Sequence, residues 1–323
     1  MLRYMIRRTI FLVLVLIVVS LFTFLVFVKL PSGDPIARAV GRHPSPELVA
    51  QVKKNFGLDQ PLYVQYWKFA SGMIPWPGLF LDKDVYFSYQ GQVPVRHAIL
   101  QRLPVTIALT VGAAALWLLI GIPIGIVSAV KRGSLLDRSA MIFALVGVSA
   151  PTFWLGLLLL YVFHFWLGWL PTAGLPQDQS VLQSVFEGYF VLPWFSLAIT
   201  SAAFYSRMTR GNLIETMGED YIRTARAKGL AENKVIYRHG LRAALTPIVT
   251  MFGMDVAFLL GGAVITESVF QLPGLGQYAL NSLYATDFPA IMGVTMLATF
   301  FIVVANFLVD ILYAFLDPRV RYT

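Results

Sequence analysis

The chain has 323 residues, of which 57% are hydrophobic and only 13% are charged. Soluble domains average about 45–50% apolar and about 25% charged residues, so this composition excludes a water-soluble protein. The absence of cysteine excludes a disulfide framework, a thiolate zinc site, an iron–sulfur cluster and a cysteine nucleophile. We interpret the net charge of +8 as a topology signal, not as a nucleic-acid-binding surface. The predicted fold class is an all-α integral membrane protein.

Six stretches with few or no charges are long enough to cross a hydrocarbon core of about 30 Å as helices. In chain order they are 9–28, 103–130, 139–170, 188–206, 243–266 and 288–309, the last continuing to 316. A cleaved signal peptide is an alternative for the first stretch. Its apolar run is longer than the roughly 7–15 residues of a signal core, which favours an uncleaved anchor. Pro104 stands near a predicted span start, whereas Pro123 and Pro151 are interior and predict kinks.

The positions of lysine and arginine predict how these spans are oriented. The predicted outer loops 171–187 and 267–287 contain neither residue, whereas the predicted inner segment 207–242 is rich in both. The segment from Lys29 to Arg102 also carries cations, but it is too long for the charge rule to govern. Both termini are therefore predicted to lie in the cytoplasm.

The spans divide the chain into four predicted parts. Residues 1–30 form a cytoplasmic tail and the first span, 31–102 an extracytoplasmic cap, 103–316 a five-helix core, and 317–323 a cytoplasmic tail. In the cap, Ser45-Pro46-Glu47 predicts a helix start because it supplies an N-cap, a proline at the first position and an acid in the first turn. The cap is interpreted either as a lid over the outer mouth or as a docking surface for an external partner.

The inner segment 207–246 predicts a helical hairpin lying parallel to the membrane. Acids at its start favour a helix over 221–228, because they suit the positive end of the helix dipole. Gly229 is expected to end this helix in the left-handed conformation, and a second helix is predicted from Glu232 to about Leu245. The hairpin is expected to expose Ala225, Ala227 and its cations.

This hairpin resembles the EAA loop of ABC-importer permeases, in the stretch YIRTARAKGLAENKVIYRHGLRAALTPIVT. Arg223-Thr224-Ala225 stands where Glu-Ala-Ala names the motif, Gly229 is its glycine, and Leu245-Thr246-Pro247 closes it. Arg223 departs from the eponymous glutamate in the manner of the peptide/nickel branch. Four other segments resemble the first permease of that branch: PSGDP, GLDQPLYVQY, LLGGAVITESVFQLPGLGQYAL and NFLVDILYAFLDPRVRY. Residues 74–92 depart from the branch, because they look longer and more irregular than its usual connection.

The resemblance implies a six-helix, type I (MetI-like) permease in the inner membrane. It also implies a second homologous permease, two cytoplasmic ATPases that bind ATP and Mg²⁺, and an extracytoplasmic binding protein. No cofactor is expected in this chain. In such importers the hairpin docks on the ATPase, so the implied contact or geometry residues are Arg223, Thr224, Ala225, Lys228, Gly229, Leu245 and Pro247. Small peptides are the expected substrate, and a nickel chelate or another small solute is the alternative.

Three features of the fifth predicted span are candidates for the transport path. A carboxylate at Asp255 costs roughly 2.5–3.5 kcal/mol on insertion scales, so it is expected to contact substrate, relay a proton or hydrogen-bond between helices. Gly261 and Gly262 are expected either to line the path or to serve helix packing. Glu267 is expected at the outer mouth, as a site for an amine or a binding-protein cation, or as a solvated helix end.

Asn306, Asp310 and Tyr313 share one helix face by their spacing, which predicts an interhelical polar cluster. The chain contains no Walker loop, no hydrolase motif and no histidines at metal-ligand spacing, so neither catalytic residues nor a metal site are predicted. Two other classes of protein are considered: a proton-coupled secondary transporter that uses Asp255 or Asp310 as a relay, and a membrane scaffold. A docking hairpin and the lack of internal repeats favour the importer subunit over the carrier.

Overall fold

The computed structural model describes residues 2–29, 45–56, 60–72, 86–88, 91 and 93–316. Much of the predicted cap, the predicted C-terminal tail and most of the irregular segment 74–92 lie outside the described residues.

Helices make up most of the described chain. The first seven are α1 (Leu2–Phe24, continued by a π-helical turn, Leu25–Lys29), α2 (Pro46–Phe56), α3 (Leu62–Ser71), α4 (Val95–Val130), α5 (Leu135–Ser149), α6 (Thr152–Leu159, with a π-helical continuation, Leu160–Trp166) and α7 (Val181–Phe186). They are followed by α8 (Val191–Thr216), α9 (Asp220–Ala227), α10 (Glu232–Lys234, followed by a π-helical segment, Val235–Gly240), α11 (Leu241–Ala244), α12 (Thr246–Leu260), α13 (Val264–Val269), α14 (Leu275–Tyr284) and α15 (Phe288–Leu316).

Two short strands, β1 (Phe87–Ser88) and β2 (Val93–Pro94), form an antiparallel ladder in which Phe87 lies opposite Pro94. The all-α prediction is therefore wrong at these four residues. They pair through their backbones next to the start of α4, and no alternating apolar pattern long enough to predict a strand marks them.

Within the described residues, three helices are long and apolar enough to cross a membrane, namely 6–27, 95–130 and 288–311. Two bent helix pairs, 135–166 and 232–260, raise the count to as many as five. The predicted span 188–206 begins three residues before α8 and otherwise lies in it, and the last turns of α8 carry charged residues beyond the apolar stretch.

Prolines and glycines break two of the predicted spans more sharply than expected. The helices on either side of Pro151 meet at 101°, because proline lacks an N–H and drives the preceding residue, Ala150, to an extended conformation. The predicted span 243–266 is bent by 47° before Thr246 and ends at Leu260, ahead of a separate helix α13. Pro104 lies inside α4, not near its start, because that helix already begins at Val95.

The described residues pack as two compact units. Unit 1 comprises residues 1–106, 257–264 and 273–323, and unit 2 comprises 107–256 and 265–272. In unit 1, a buried apolar cluster joins α1, α3, the start of α4, α14 and α15, through Phe24, Phe69, Tyr86, Val95, Ile99, Leu275, Ala290, Met292, Val294, Met296 and Leu297. In unit 2, α5 and α6 pack along α8.

Glycines on α4 allow its backbone to approach α8 closely within unit 2. A Cβ added to Gly121 would lie 2.8 Å from the carbonyl oxygen of Ala202, and one added to Gly125 would lie 2.5 Å from that of Ser206. Gly121 and Gly125 form the small-xxx-small spacing that lets two membrane helices approach. Neither residue was predicted to have this role.

Candidate functional site

The predicted hairpin is present on the segment that follows α8. Its first helix, α9, begins one residue before the predicted start and ends at Ala227, and Gly229 has a φ of +75°. The predicted left-handed terminator is therefore confirmed. The return arm runs from Glu232 to Ala244 and includes a π-helical segment over Val235–Gly240.

A small apolar core holds the two arms of the hairpin together. Ile222, Ala225 and Val235 are buried in it, and Met217 and Leu230 pack against them. The predicted exposure of Ala225 is therefore wrong: it lies three residues after Ile222, on the helix face that contacts the return arm. The exposed residues of the first arm and the turn include Asp220, Tyr221, Arg223, Thr224, Arg226, Ala227, Lys228, Gly229 and Glu232.

Polar contacts stabilise the turn and leave cations on its outer surface. Arg226 binds both carboxylate oxygens of Glu232 across the turn, at 2.7 Å and 3.1 Å. The hydrogen bonds that Arg226 donates to Glu232 raise the pKa of Arg226. The Arg223 guanidinium lies 3.4 Å from Asp220, and its side chain is 74% exposed. An ion pair so exposed contributes little stability, so Arg223 remains available to a partner.

The hairpin is anchored to the end of α8. Leu213 of α8 is buried with Ala244 and with Ile126 of α4. The side-chain amide of Asn212 donates a hydrogen bond to the Ala244 carbonyl at 3.3 Å. A Cβ on Gly240 would lie 2.8 Å from the sulfur of Met217, so the return arm lies directly against the residues that follow α8.

The residues that close the motif lie at the entry to α12. Leu245 is half-buried at the turn between α11 and α12, and Pro247 is the exposed second residue of α12. A proline in the first turn of a helix loses no hydrogen bond, because the N–H groups of that turn have no acceptor within the helix. The sequence of the motif therefore coincides with the bend from the hairpin into the predicted fifth span.

Asp255 links two helices of unit 2. Its carboxylate accepts a hydrogen bond of 2.7 Å from the hydroxyl of Tyr205, which is buried on α8. The Tyr205 ring lies 6.0 Å from that of Trp117, and Trp117 also contacts Phe252. Of the three roles considered for Asp255, this arrangement fits the hydrogen bond between helices.

We expect Tyr205→Phe to lower the stability of the protein, because it leaves the Asp255 carboxylate without this donor in an apolar surrounding, at a cost of about 1–3 kcal/mol. Asp255→Asn is the matched control, since its amide oxygen can still accept the tyrosine hydrogen bond. Thermal unfolding in detergent measures both variants. Equal melting temperatures for wild type and Tyr205→Phe would contradict the structural role.

Gly261 and Gly262 allow close packing within unit 1. A Cβ on Gly261 would lie 2.8 Å from the Cβ of Ala298. Gly262 has a φ of +119°, and a Cβ there would lie 2.5 Å from the backbone of Gly276. Gly276 was not among the predicted residues, although its backbone forms the other half of this crossing.

Glu267 is fully buried in α13. Of the two roles left open for Glu267, the solvated helix end is therefore wrong, and the site for an amine or a cation stays a prediction. The physical reason is the break at Gly261–Ala263, after which the chain starts a new helix and does not end in solvent.

The predicted polar cluster on α15 faces α1 within unit 1. Arg8 forms an ion pair with Asp310. Arg8, Asn306 and Asp310 line a cavity of about 190 Å³ together with apolar side chains. The Tyr313 side chain lies outside the described residues.

A buried carboxylate links β1 to the start of α15. Asp287 accepts hydrogen bonds from the Ser88 hydroxyl and from the backbone N–H of Ala290, as an N-cap does. Burial raises the pKa of Asp287 above its usual value in spite of these two donors. Burial and the Asp287 charge raise the pKa of Tyr278 to about 12, and the guanidinium of Arg102, 4.5 Å from the Tyr278 ring, opposes this.

The raised pKa of Asp287 predicts a pH-dependent stability. The folded chain holds this proton more tightly than the unfolded chain, so the contribution is complete below about pH 3.9 and is lost as pH rises through the folded-state pKa. Asp287→Asn retains a capping side chain and removes the titration. We expect the melting temperature of wild type minus that of Asp287→Asn to be higher at pH 4 than at pH 7. A difference that does not change with pH would contradict this.

Comparisons with known proteins agree with this architecture. The family model described as "Binding-protein-dependent transport system inner membrane component" matches residues 121–322, and the model for the N-terminal part of such components matches residues 1–110. The chain is 40% identical to the glutathione transport system permease protein GsiC of Pectobacterium atrosepticum. It is 38% identical to the proteins of that name from Salmonella paratyphi A and Escherichia coli strain K12. Each alignment extends over 322 residues and covers 100% of both chains.

A solved structure has the same fold. The methionine ABC transporter MetNI in an inward-facing conformation contains a chain that matches with a TM-score of 0.55 at 21% identity. The match covers 69% of this chain and 98% of that one. The chain described here therefore belongs to the binding-protein-dependent transport system inner membrane components, and it is an inner-membrane permease of an ABC importer.

Proposed function

We propose that this permease forms half of the translocation pathway for small peptides, with six transmembrane helices, a small extracytoplasmic cap and both termini in the cytoplasm. A second homologous permease forms the other half. Two cytoplasmic ATPases bind ATP and Mg²⁺ and carry out hydrolysis, and an extracytoplasmic binding protein delivers the substrate. The permease itself carries no cofactor.

The observation that carries this proposal is the hairpin between α8 and α12. It has a folded apolar core, a left-handed glycine at its turn and an outer surface on which cations and small residues lie beside two acids, Asp220 and Glu232. Small residues let another backbone approach closely, and exposed cations attract an acidic partner surface. ATP binding closes the ATPase dimer, the hairpin moves with it, and the transmembrane helices change the side to which the path opens.

The relatives support a peptide as the substrate class. They are named for the transport of glutathione, which is a tripeptide. A zwitterionic peptide with varied side chains suits a path with few fixed charges, because each charge in the membrane has to be matched by the substrate. The binding protein selects among such solutes before they reach the permease.

Transport by the complete importer in proteoliposomes tests the proposal. We expect ATP-dependent uptake of a labelled dipeptide, and competition by unlabelled dipeptide or glutathione, when the cognate binding protein is present. Uptake of a nickel chelate without any peptide uptake would replace the substrate class. Uptake that needs a proton gradient and no ATPase would contradict the importer mechanism.

A further inference from the structure

A largely buried ion pair joins α8 to the first turn of α5, next to the loop that follows α4. The guanidinium of Arg210 binds the carboxylate of Asp137 through two hydrogen bonds, of 2.7 Å from Nε and 2.9 Å from Nη2. The Asp137 side chain is 6% exposed and that of Arg210 is 25% exposed. A bidentate pair of this kind fixes orientation as well as distance.

The Asp137 carboxylate gathers donors from two further places. The buried hydroxyl of Ser128, in the last turn of α4, donates to it. The backbone N–H of Gly133 in the loop donates at 2.8 Å, and Gly133 has a φ of +81°. One carboxylate thus connects the end of α4, the loop, the start of α5 and the side of α8.

The same segment of α8 carries the hairpin. Beyond Arg210 the helix continues for six residues to Thr216, which is about 9 Å at 1.5 Å per residue. Over this distance Asn212 and Leu213 hold the return arm of the hairpin through Ala244. The α8 extension is therefore attached to the hairpin at one end and to Asp137 at the other.

We infer that the Arg210–Asp137 pair is a positioning joint that transmits movement of the hairpin to the inner ends of α4 and α5. This inference rests on the proposed coupling role of the hairpin. A displacement of the hairpin moves the α8 extension, and the bidentate pair makes the junction of α4 and α5 follow that movement. The two helices also pack along α8, so we expect loss of the pair to weaken this coupling without separating the helices.

The experiment uses the complete importer in proteoliposomes with Asp137→Asn, Arg210→Gln and the conservative Arg210→Lys. Arg207→Gln is the matched control, because Arg207 lies on the same helix one turn earlier and is exposed. The two quantities measured are ATP hydrolysis and the number of substrate molecules transported per ATP hydrolysed. A role in folding alone would lower the yield of assembled complex without changing this ratio.

We expect Asp137→Asn and Arg210→Gln to hydrolyse ATP within about twofold of wild type, while transport per ATP falls about tenfold. A tenfold loss corresponds to removing one charge-assisted hydrogen bond from only one of the two states of the importer, in which the path opens to opposite sides of the membrane. Arg210→Lys should be intermediate because it keeps the charge and loses the bidentate geometry. Arg207→Gln should keep the wild-type ratio.

A single variant that leaves one buried charge unpaired can fail to assemble. The double variant Asp137→Asn with Arg210→Gln removes both charges, and we expect it to restore assembly but not the ratio. If the assembled variants transport as much substrate per ATP as wild type, the pair does not transmit the movement, and the proposed function is unaffected. A wild-type importer that shows no ATP-driven transport would instead reject the proposed function.

Discussion

Replacement of Gly229 by arginine is expected to abolish ATP-driven transport while the chain still inserts into the membrane. Gly229 has a φ of +75°, and a Cβ added there meets no atom within 4 Å. The chain can therefore hold the new side chain at a strain cost of about 1–2 kcal/mol. The arginine would project from the hairpin turn into the space proposed for the ATPase. Loss of a central interface contact costs about 2 kcal/mol or more, so we expect transport to fall at least about thirtyfold.

Gly168→Arg is the matched control for this experiment. Gly168 has a φ of +65° and likewise has open space around its Cβ position, but it lies after α6, at the outer end of the predicted span 139–170. Both variants carry the same backbone strain and the same added charge. Membrane abundance, copurified ATPase and uptake are measured for each. Normal uptake by Gly229→Arg would contradict the docking role of the hairpin, and equal loss in both variants would assign the effect to strain.

Gly125→Leu is expected to prevent α4 from packing on α8. A Cβ at Gly125 would lie 2.5 Å from the Ser206 carbonyl oxygen and 2.6 Å from the Cβ of Thr209. The first of these atoms belongs to the helix backbone and cannot rotate away. Overpacking in a core costs about 1–3 kcal/mol and sometimes more. We expect a loss near the upper end of this range, which lowers the melting temperature by roughly 6 °C or more.

Gly211→Leu is the control, because Gly211 lies on α8 with no atom within 4 Å of its Cβ position. It should retain the wild-type melting temperature and elution profile in detergent. A Gly125→Leu protein with the wild-type melting temperature would show that α4 and α8 do not approach as closely as the structure has them.

Local signals were sufficient to predict the hairpin. Gly229 follows a short helix with acids at its start, and both ends of that helix depend on neighbouring residues alone. The burial of Ala225 could not be predicted in the same way, because it depends on Val235, which lies across the turn. The orientation of a short helix is decided by what packs on it, and its own sequence does not contain that information.

Contacts between distant segments account for the residues that were missed. Arg210 and Asp137 are 73 positions apart, and Ser88 and Asp287 are 199 apart. Gly121 and Gly125 have a recognisable spacing, yet the sequence does not say that α8 is the helix they approach. Hydropathy is also uniform across a break such as the one at Gly262, so span lengths alone left a solvated helix end open as one interpretation of Glu267.

A single-cysteine cross-linking measurement tests the central claim, that the hairpin docks on the ATPase. The natural chain contains no cysteine, so Ala227→Cys introduces one thiol on the exposed side of the hairpin turn, and Gly174→Cys introduces one in the predicted outer loop as a control. Each variant is labelled with a thiol-reactive photo-cross-linker in the assembled importer and irradiated. We expect a covalent adduct between this chain and the ATPase from position 227 and none from position 174. An ATPase that copurifies but forms no adduct from position 227 would contradict it.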